Sequence, residues 1–308
     1  MRHTAGPFED LRMPTPDSPP PTPADPGTGR RIRLMVLAMA AFIFNDTLVK
    51  VVSEGLPAGQ LILVRGLMAT ALVWVVARAT AGALPLRHVF GRWVLLRTLT
   101  DTLATVTYLL SLFHLPIANA TAINMATPLV IALLAGPMLG QRVGARRWLL
   151  IGAGFAGVLL VVQPGPGGFN AWAWLCVLAT LFNAVRDLIT PRIAGEVSSM
   201  GITLSTTLGV TIAAALMTAA DGGWSPMSGT QLGQLAAAAV FLGAGHALTI
   251  AATRGSDLAI VSPFRYSALL VAVVLGWLVW GEVPNALAWT GMALLIASGV
   301  LLLRLGRR

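Results

Sequence analysis

The chain has 308 residues, 56% of them hydrophobic and only 11% charged, with a mean hydropathy of +0.77. Soluble domains carry about a quarter charged residues, so a water-soluble fold cannot hide this much apolar surface, and soluble enzymes and binding modules are excluded. The net charge of +9 sits at alternate ends of apolar segments, not on one basic face, which argues against a nucleic-acid partner.

Residues 1–30 contain Pro7, Pro14, Pro16, Pro19, Pro20, Pro21, Pro23 and Pro26. With few large apolar side chains they cannot offset the entropy of ordering, which predicts a disordered tail. Ten apolar spans follow, each near the roughly 20 residues that a transmembrane helix needs. The first, 33–53, carries Asp46 and Lys50 four apart, on one face. The pair reads either as a structural ion pair or as part of a pathway. After Gly55-Leu56-Pro57, the second span, 57–79, holds Arg65 with no acid at helical spacing.

The third, 91–113, places Arg97 and Asp101 on one face. Leu115-Pro116 leads into the fourth, 117–139, with Asn124 and a proline, Pro128, that predicts a bend and freed carbonyls. The fifth, 146–163, has Gly152, Gly154 and Gly157, suited to close helix packing, and ends in the Pro164–Gly168 cluster. In the sixth, 171–190, Arg186 and Asp187 are adjacent. They point about 100° apart and are expected to pair across helices, not with each other.

The seventh span is 198–219 and the eighth, 231–253, contains His246. The ninth, 258–280, has Pro263, Arg265 and Tyr266, and the tenth, 284–304, has Gly291 and Gly299. The gaps with Arg87 and Arg92, Arg142, Arg146 and Arg147, Arg192 and Arg254 alternate with gaps that lack arginine. By the positive-inside rule those segments and both termini are cytoplasmic.

The halves echo each other. Phe44-Asn45 recurs as Phe182-Asn183, and Gly140-Gln141 before Trp148 recurs as Gly281-Glu282 before Trp289. Five helices is an odd number, so the second copy enters the membrane upside down. The expected fold is all-α and polytopic, ten transmembrane helices forming two inverted five-helix repeats, 33–163 and 171–304, with a site where they meet.

An unpaired charge within a bilayer is costly, so Asp46, Arg97, Asp101, Arg186 and Asp187 are expected in ion pairs or as coupling groups. Arg65 and Arg265 lack acids at helical spacing and offer guanidinium forks to a carboxylate or phosphate. For Arg265, snorkelling to the interface is the alternative. Asn124, matching Arg265 in the repeat, and Tyr266 complete the candidate pathway. The single cysteine, Cys176, excludes an internal disulfide. Four scattered histidines show no metal-ligand spacing, and no catalytic or nucleotide motif is present, so no metal and no cofactor are expected.

Several fragments resemble the drug/metabolite transporter superfamily, in particular the bacterial EamA-type proteins with ten helices. They are Asn45 to Lys50, Gly59-Gln60 with Val64 to Leu67, Ala118 to Leu129, Ser262 to Ser267, and Gly276 to Pro284. The resemblance covers about residues 33 to 304. It implies a secondary transporter in the bacterial inner membrane that rocks its repeats around a small-molecule site. The solute expected here is an anionic or zwitterionic metabolite. Proton coupling through Asp46 or Asp101 and a homodimer are both compatible with that frame. The rival classes are a noncatalytic membrane scaffold and, less favoured, an intramembrane lipid-modifying enzyme.

Overall fold

A computed structural model describes residues 28–81, 91–139, 144–165, 170–193, 199–253 and 258–305. Of the tail expected at 1–30, residues 1–27 lie outside them, and the last three already belong to the first helix. Helix α1 spans Thr28–Ser53, α2 Ala58–Ala81 and α3 Arg92–His114. The fourth span is two helices, α4 (Ile117–Asn124) and α5 (Thr127–Leu139), followed by α6 (Ala145–Val162). The second half runs α7 (Ala171–Ile189), α8 (Ser199–Asp221) and α9 (Gly229–Thr253). Its broken span comprises α10 (Leu258–Val261), a 3-10 turn at Ser262–Tyr266 and α11 (Ser267–Trp280), before α12 (Ala286–Leu305).

Nine spans among the described residues are long and apolar enough to cross a membrane. The third is not among them, although its 23 residues suffice in length. Its content explains this: Arg97, Asp101 and five threonines make it the polar stave of the bundle. Elsewhere Leu149, Leu216, Trp277 and Leu278 expose apolar surface that only lipid covers. The protein is a multi-pass membrane protein.

The two interruptions fall at matching places. Pro128 lacks the N–H that would bond Asn124 O, and the Thr127 hydroxyl takes that carbonyl instead at 2.6 Å. Thr180 of α7 donates to Ile123 O at 3.2 Å and Cys176 to Ala120 O at 3.6 Å. Side chains of the other repeat thus serve the carbonyls of the broken helix, as required away from water. Pro263 starts the corresponding break, where Ser267 Oγ donates to Phe264 O at 2.7 Å.

Packing follows a two-fold exchange of the repeats. Helix α1 packs on α9 while its counterpart α7 packs on α3, and α2 meets α9 as α8 meets α3. Helices α2 and α8 pair with each other, as do α6 and α12. Each repeat therefore buries itself chiefly against the other, interleaved and not side by side. The α6 and α12 backbones touch at Gly157 and Gly291. A Cβ on Gly157 would come within 2.7 Å of Gly291 O, and one on Gly291 within 2.5 Å of Gly157 O. Only glycine permits that approach.

Contacts between chain turns gather one end of the bundle. Gln60 exchanges hydrogen bonds of 2.8 Å with the backbone of Ser225, and Gln163 and Asn285 bond reciprocally at 2.6 and 2.8 Å. The rings of His114 and Trp172 stack with centroids 3.6 Å apart.

Candidate functional site

Buried charge falls into two groups. The first joins α3, α7 and α8 around Asp101. Arg186 Nη1 donates to Asp101 Oδ1 at 2.8 Å, and Thr206 Oγ1 to Oδ2 at 3.1 Å. Arg97 Nη1 lies 3.4 Å from Oδ2, the expected pair within one helix, and also reaches Thr206 at 3.1 Å. Arg97 Nε donates to Thr190 Oγ1 at 3.2 Å. Asp187 accepts from Arg186 Nε and Nη2, both at 2.9 Å.

That last contact corrects one expectation. Arg186 does pair across helices, with Asp101, but it also bonds its neighbour Asp187. Their directions diverge at Cβ, yet the long arginine side chain folds back over the end of α7. Two guanidiniums and two carboxylates balance here, and every charge has a partner.

The second group lies toward the other end of α3. Tyr108 donates its hydroxyl to Asp46 Oδ2 at 2.8 Å, and Asn45 Nδ2 donates to Oδ1 at 2.8 Å. The Asp46–Lys50 pair that helical spacing suggested does not form. Lys50 turns instead to Glu282 of the second repeat, at 3.6 Å. Spacing along one helix says which groups can meet and nothing of a stronger partner elsewhere.

Arg65 sits within electrostatic reach of Asp46. It is only 6% exposed, and it makes no hydrogen bond or ion pair among the described residues; its Nη1 is buried without a partner. Asn45 Oδ1 and Thr121 Oγ1 are likewise buried and unsatisfied. Leaving such groups unmade costs about 1–3 kcal/mol each, more when charged. An open guanidinium fork near the Asp46 carboxylate is an unsatisfied donor of the kind that carboxylates and phosphates complete.

The other candidates lie apart from this group. Asn183 donates to Asn124 Oδ1 at 3.0 Å, tying α7 to α4. Tyr266 is buried at 4% exposure, and its hydroxyl, also unpartnered, abuts Gly299 of α12 with no room for a Cβ there. Arg265 is exposed on the 3-10 turn and lies within electrostatic reach of Asp187 and Arg186 of the first group, without a hydrogen bond to either. His246 is held by Leu242 O at 2.8 Å and meets Phe42 edge-on at 5.1 Å. Among the described residues no cluster of side chains could hold a metal ion.

The EamA-like transporter family model matches residues 30–163 and again 170–304. The chain belongs to that family. The repeat inferred from short sequence echoes is thus two copies of one family unit. A riboflavin transporter of Rhizobium johnstonii is 32% identical over 226 residues, covering 71% of this chain and 70% of its relative. The pseudopaline exporter CntI of Pseudomonas aeruginosa is 27% identical over 279 residues, 89% of this chain and 95% of that one. An S-adenosylmethionine uptake transporter of Rickettsia felis is 24% identical over 59% of this chain and 62% of its own length. One solved crystal structure of a protein shares the fold, with a TM-score of 0.64 at 16% identity over 90% of this chain and 98% of the other. The chain is therefore an EamA-family transporter, and these relatives carry small metabolites.

Proposed function

We propose that this transporter is a secondary carrier of an anionic or zwitterionic organic metabolite in the bacterial inner membrane, working by alternating access with Arg65 meeting the carboxylate or phosphate of the solute. The observation that carries this reading is the buried Arg65 guanidinium with no hydrogen-bond partner. Asn45 Oδ1 and Thr121 Oγ1 stand ready for a donor on the same solute. Asp46 is the coupling group: it can take a proton without breaking an ion pair, whereas Asp101 is held by two arginines. Arginine-rich alternate loops favour cytoplasmic termini.

Purified protein in proteoliposomes, offered radiolabelled riboflavin, S-adenosylmethionine and a panel of amino-acid derivatives, tests the reading. At least one solute is expected to accumulate, to exchange against its unlabelled form, and to respond to an imposed pH gradient. Flux that is equal in Arg65→Ala sinks the Arg65 assignment, and indifference to the pH gradient sinks the role of Asp46.

A further inference from the structure

Four side chains that solute binding leaves unused, Lys50, Glu54, Trp280 and Glu282, meet where α1 and α11 end. Gly281 closes α11 in the left-handed conformation at φ 68°. Gly281 N–H bonds Trp277 O at 3.0 Å and Glu282 N–H bonds Gly276 O at 3.1 Å. This glycine cap turns Glu282 back across the helix end. Its carboxylate accepts the N–H of Ile117 at 3.2 Å, the first residue of α4 and an amide with no partner inside its helix.

Lys50 lies 3.6 Å from the other carboxylate oxygen and donates to Leu115 O, the last carbonyl of the α3 terminus. The Leu115–Pro116–Ile117 turn is thus gripped by a cation from the first repeat on the Leu115 carbonyl and by an anion from the second on the Ile117 N–H. Trp280 Nε1 donates to Glu54 at 2.9 Å, and the Lys50 ammonium stands 4.9 Å from the Trp280 ring. Gln60 with Ser225 and Gln163 with Asn285 add ties between the repeats at the same end.

The repeat does not duplicate this ion pair. Aligning Asn45 with Asn183 sets Lys50 against Leu188, and Glu282 falls opposite Gln141. The side chain of Glu282 is 26% exposed, so water can replace its partners at small net cost. Apolar packing lacks that exchange. A clasp of this kind closes specifically and releases easily.

We infer that the Lys50–Glu282 pair, clasped on Leu115–Pro116 and backed by Trp280 and Glu54, is the gate that shuts this end of the carrier and parts in each cycle. This rests on the alternating-access reading above. Behind the gate lies Cys176, fully buried and the chain's single cysteine, so the protein carries its own reporter.

In full-length protein in nanodiscs, the rate at which a membrane-impermeant maleimide labels Cys176 is read by mass spectrometry of its peptide. Glu282→Gln keeps an oxygen for Ile117 N–H and removes the charge. It should raise the rate roughly tenfold, the effect of losing one charge-assisted hydrogen bond, and Lys50→Met should match it. The double variant should exceed neither by much. Unchanged rates in both single variants overturn the gate.

A second arm guards against misfolding. Glu54→Cys with Trp280→Cys, bridged by a reducible bifunctional thiosulfonate, should label Cys176 more slowly than the unbridged form and recover on reduction. Labelling indifferent to the bridge also overturns the gate. Neither readout needs a solute. A chain that moves no solute would overturn the carrier reading, whereas faster Cys176 labelling in the variants would still show that the clasp closes this end.

Discussion

The Asp101 group and the Asp46–Arg65 group are both buried charge in the same bundle, built from the same residue types, yet they differ in completeness. Around Asp101 the two arginines, two aspartates and two threonines satisfy one another. Around Asp46 the carboxylate is served by neutral donors, and the nearby guanidinium is left without a hydrogen bond. A saturated network in a low-dielectric interior holds helices together. An unsaturated one is costly unless something else completes it. Saturation, more than charge itself, separates the arginines held in a network from the one proposed to meet a solute.

The sharpest way to break this comparison is Asp101→Asn. It strips Arg97 of its ionic partner and leaves Arg186 with Asp187 alone, and breaking a buried pair costs about 3–5 kcal/mol. A steep loss of thermal stability in detergent is expected, with per-molecule transport by surviving protein near normal. A stable variant with altered solute preference would move Asp101 into the site.

Arg65→Ala should do the reverse. No hydrogen bond within the protein is lost, so the melting temperature should fall far less than in Asp101→Asn. Initial uptake rates should fall about a hundredfold, since truncating one member of a desolvated charge contact costs roughly 2–5 kcal/mol. Arg65→Lys restores the charge without the planar fork and should recover only part of the flux. If Arg65→Ala unfolds the protein instead, the guanidinium is structural.

The sequence made Arg65 legible because no acid lies at helical spacing from it, and in the bundle it still makes no hydrogen bond or close ion pair, although Asp46 of α1 comes within electrostatic reach. Arg97 with Asp101 was legible for the converse reason, since four residues along a helix is already a contact. The breaks at Pro128 and Pro263 were readable because proline removes a donor wherever it sits. What could not be read was set between helices. Helical spacing favours Asp46 for Lys50, but the Gly281 cap swings Glu282 toward Lys50 from the other repeat. The same limit hid the Arg186–Asp101 bridge, the interleaving of the repeats, and Tyr266 lodged against Gly299. The complementary signs of Lys50 and Glu282, at ends that the topology brings together, were the one available signal for the gate.

A finer probe within the second group is Tyr108→Phe. It removes one hydrogen bond from Asp46, worth about 1.5–3 kcal/mol when the acceptor is charged. If Asp46 carries the coupling proton, this variant should shift the pH at which uptake is half-maximal by roughly one unit or more, since a pKa unit is about 1.4 kcal/mol. An unmoved pH profile with normal flux would leave Asp46 as a packing residue.

The smallest effect belongs to Asn183→Ala. Its amide donates to Asn124 across α7 and α4, away from Arg65, and hydrogen bonds between membrane helices average about 0.6 kcal/mol. Stability should drop by about that much, with the KM for the solute unchanged. Asn124 was a pathway candidate because it matches Arg265 in the repeat, and that match is compatible with a bond that only fixes the broken α4 against its neighbour. A severalfold rise in KM in Asn183→Ala would show the pair to be continuous with the Arg65 site. The unsaturated region would then extend down α4 as far as its break, where Thr180 already serves Ile123 O.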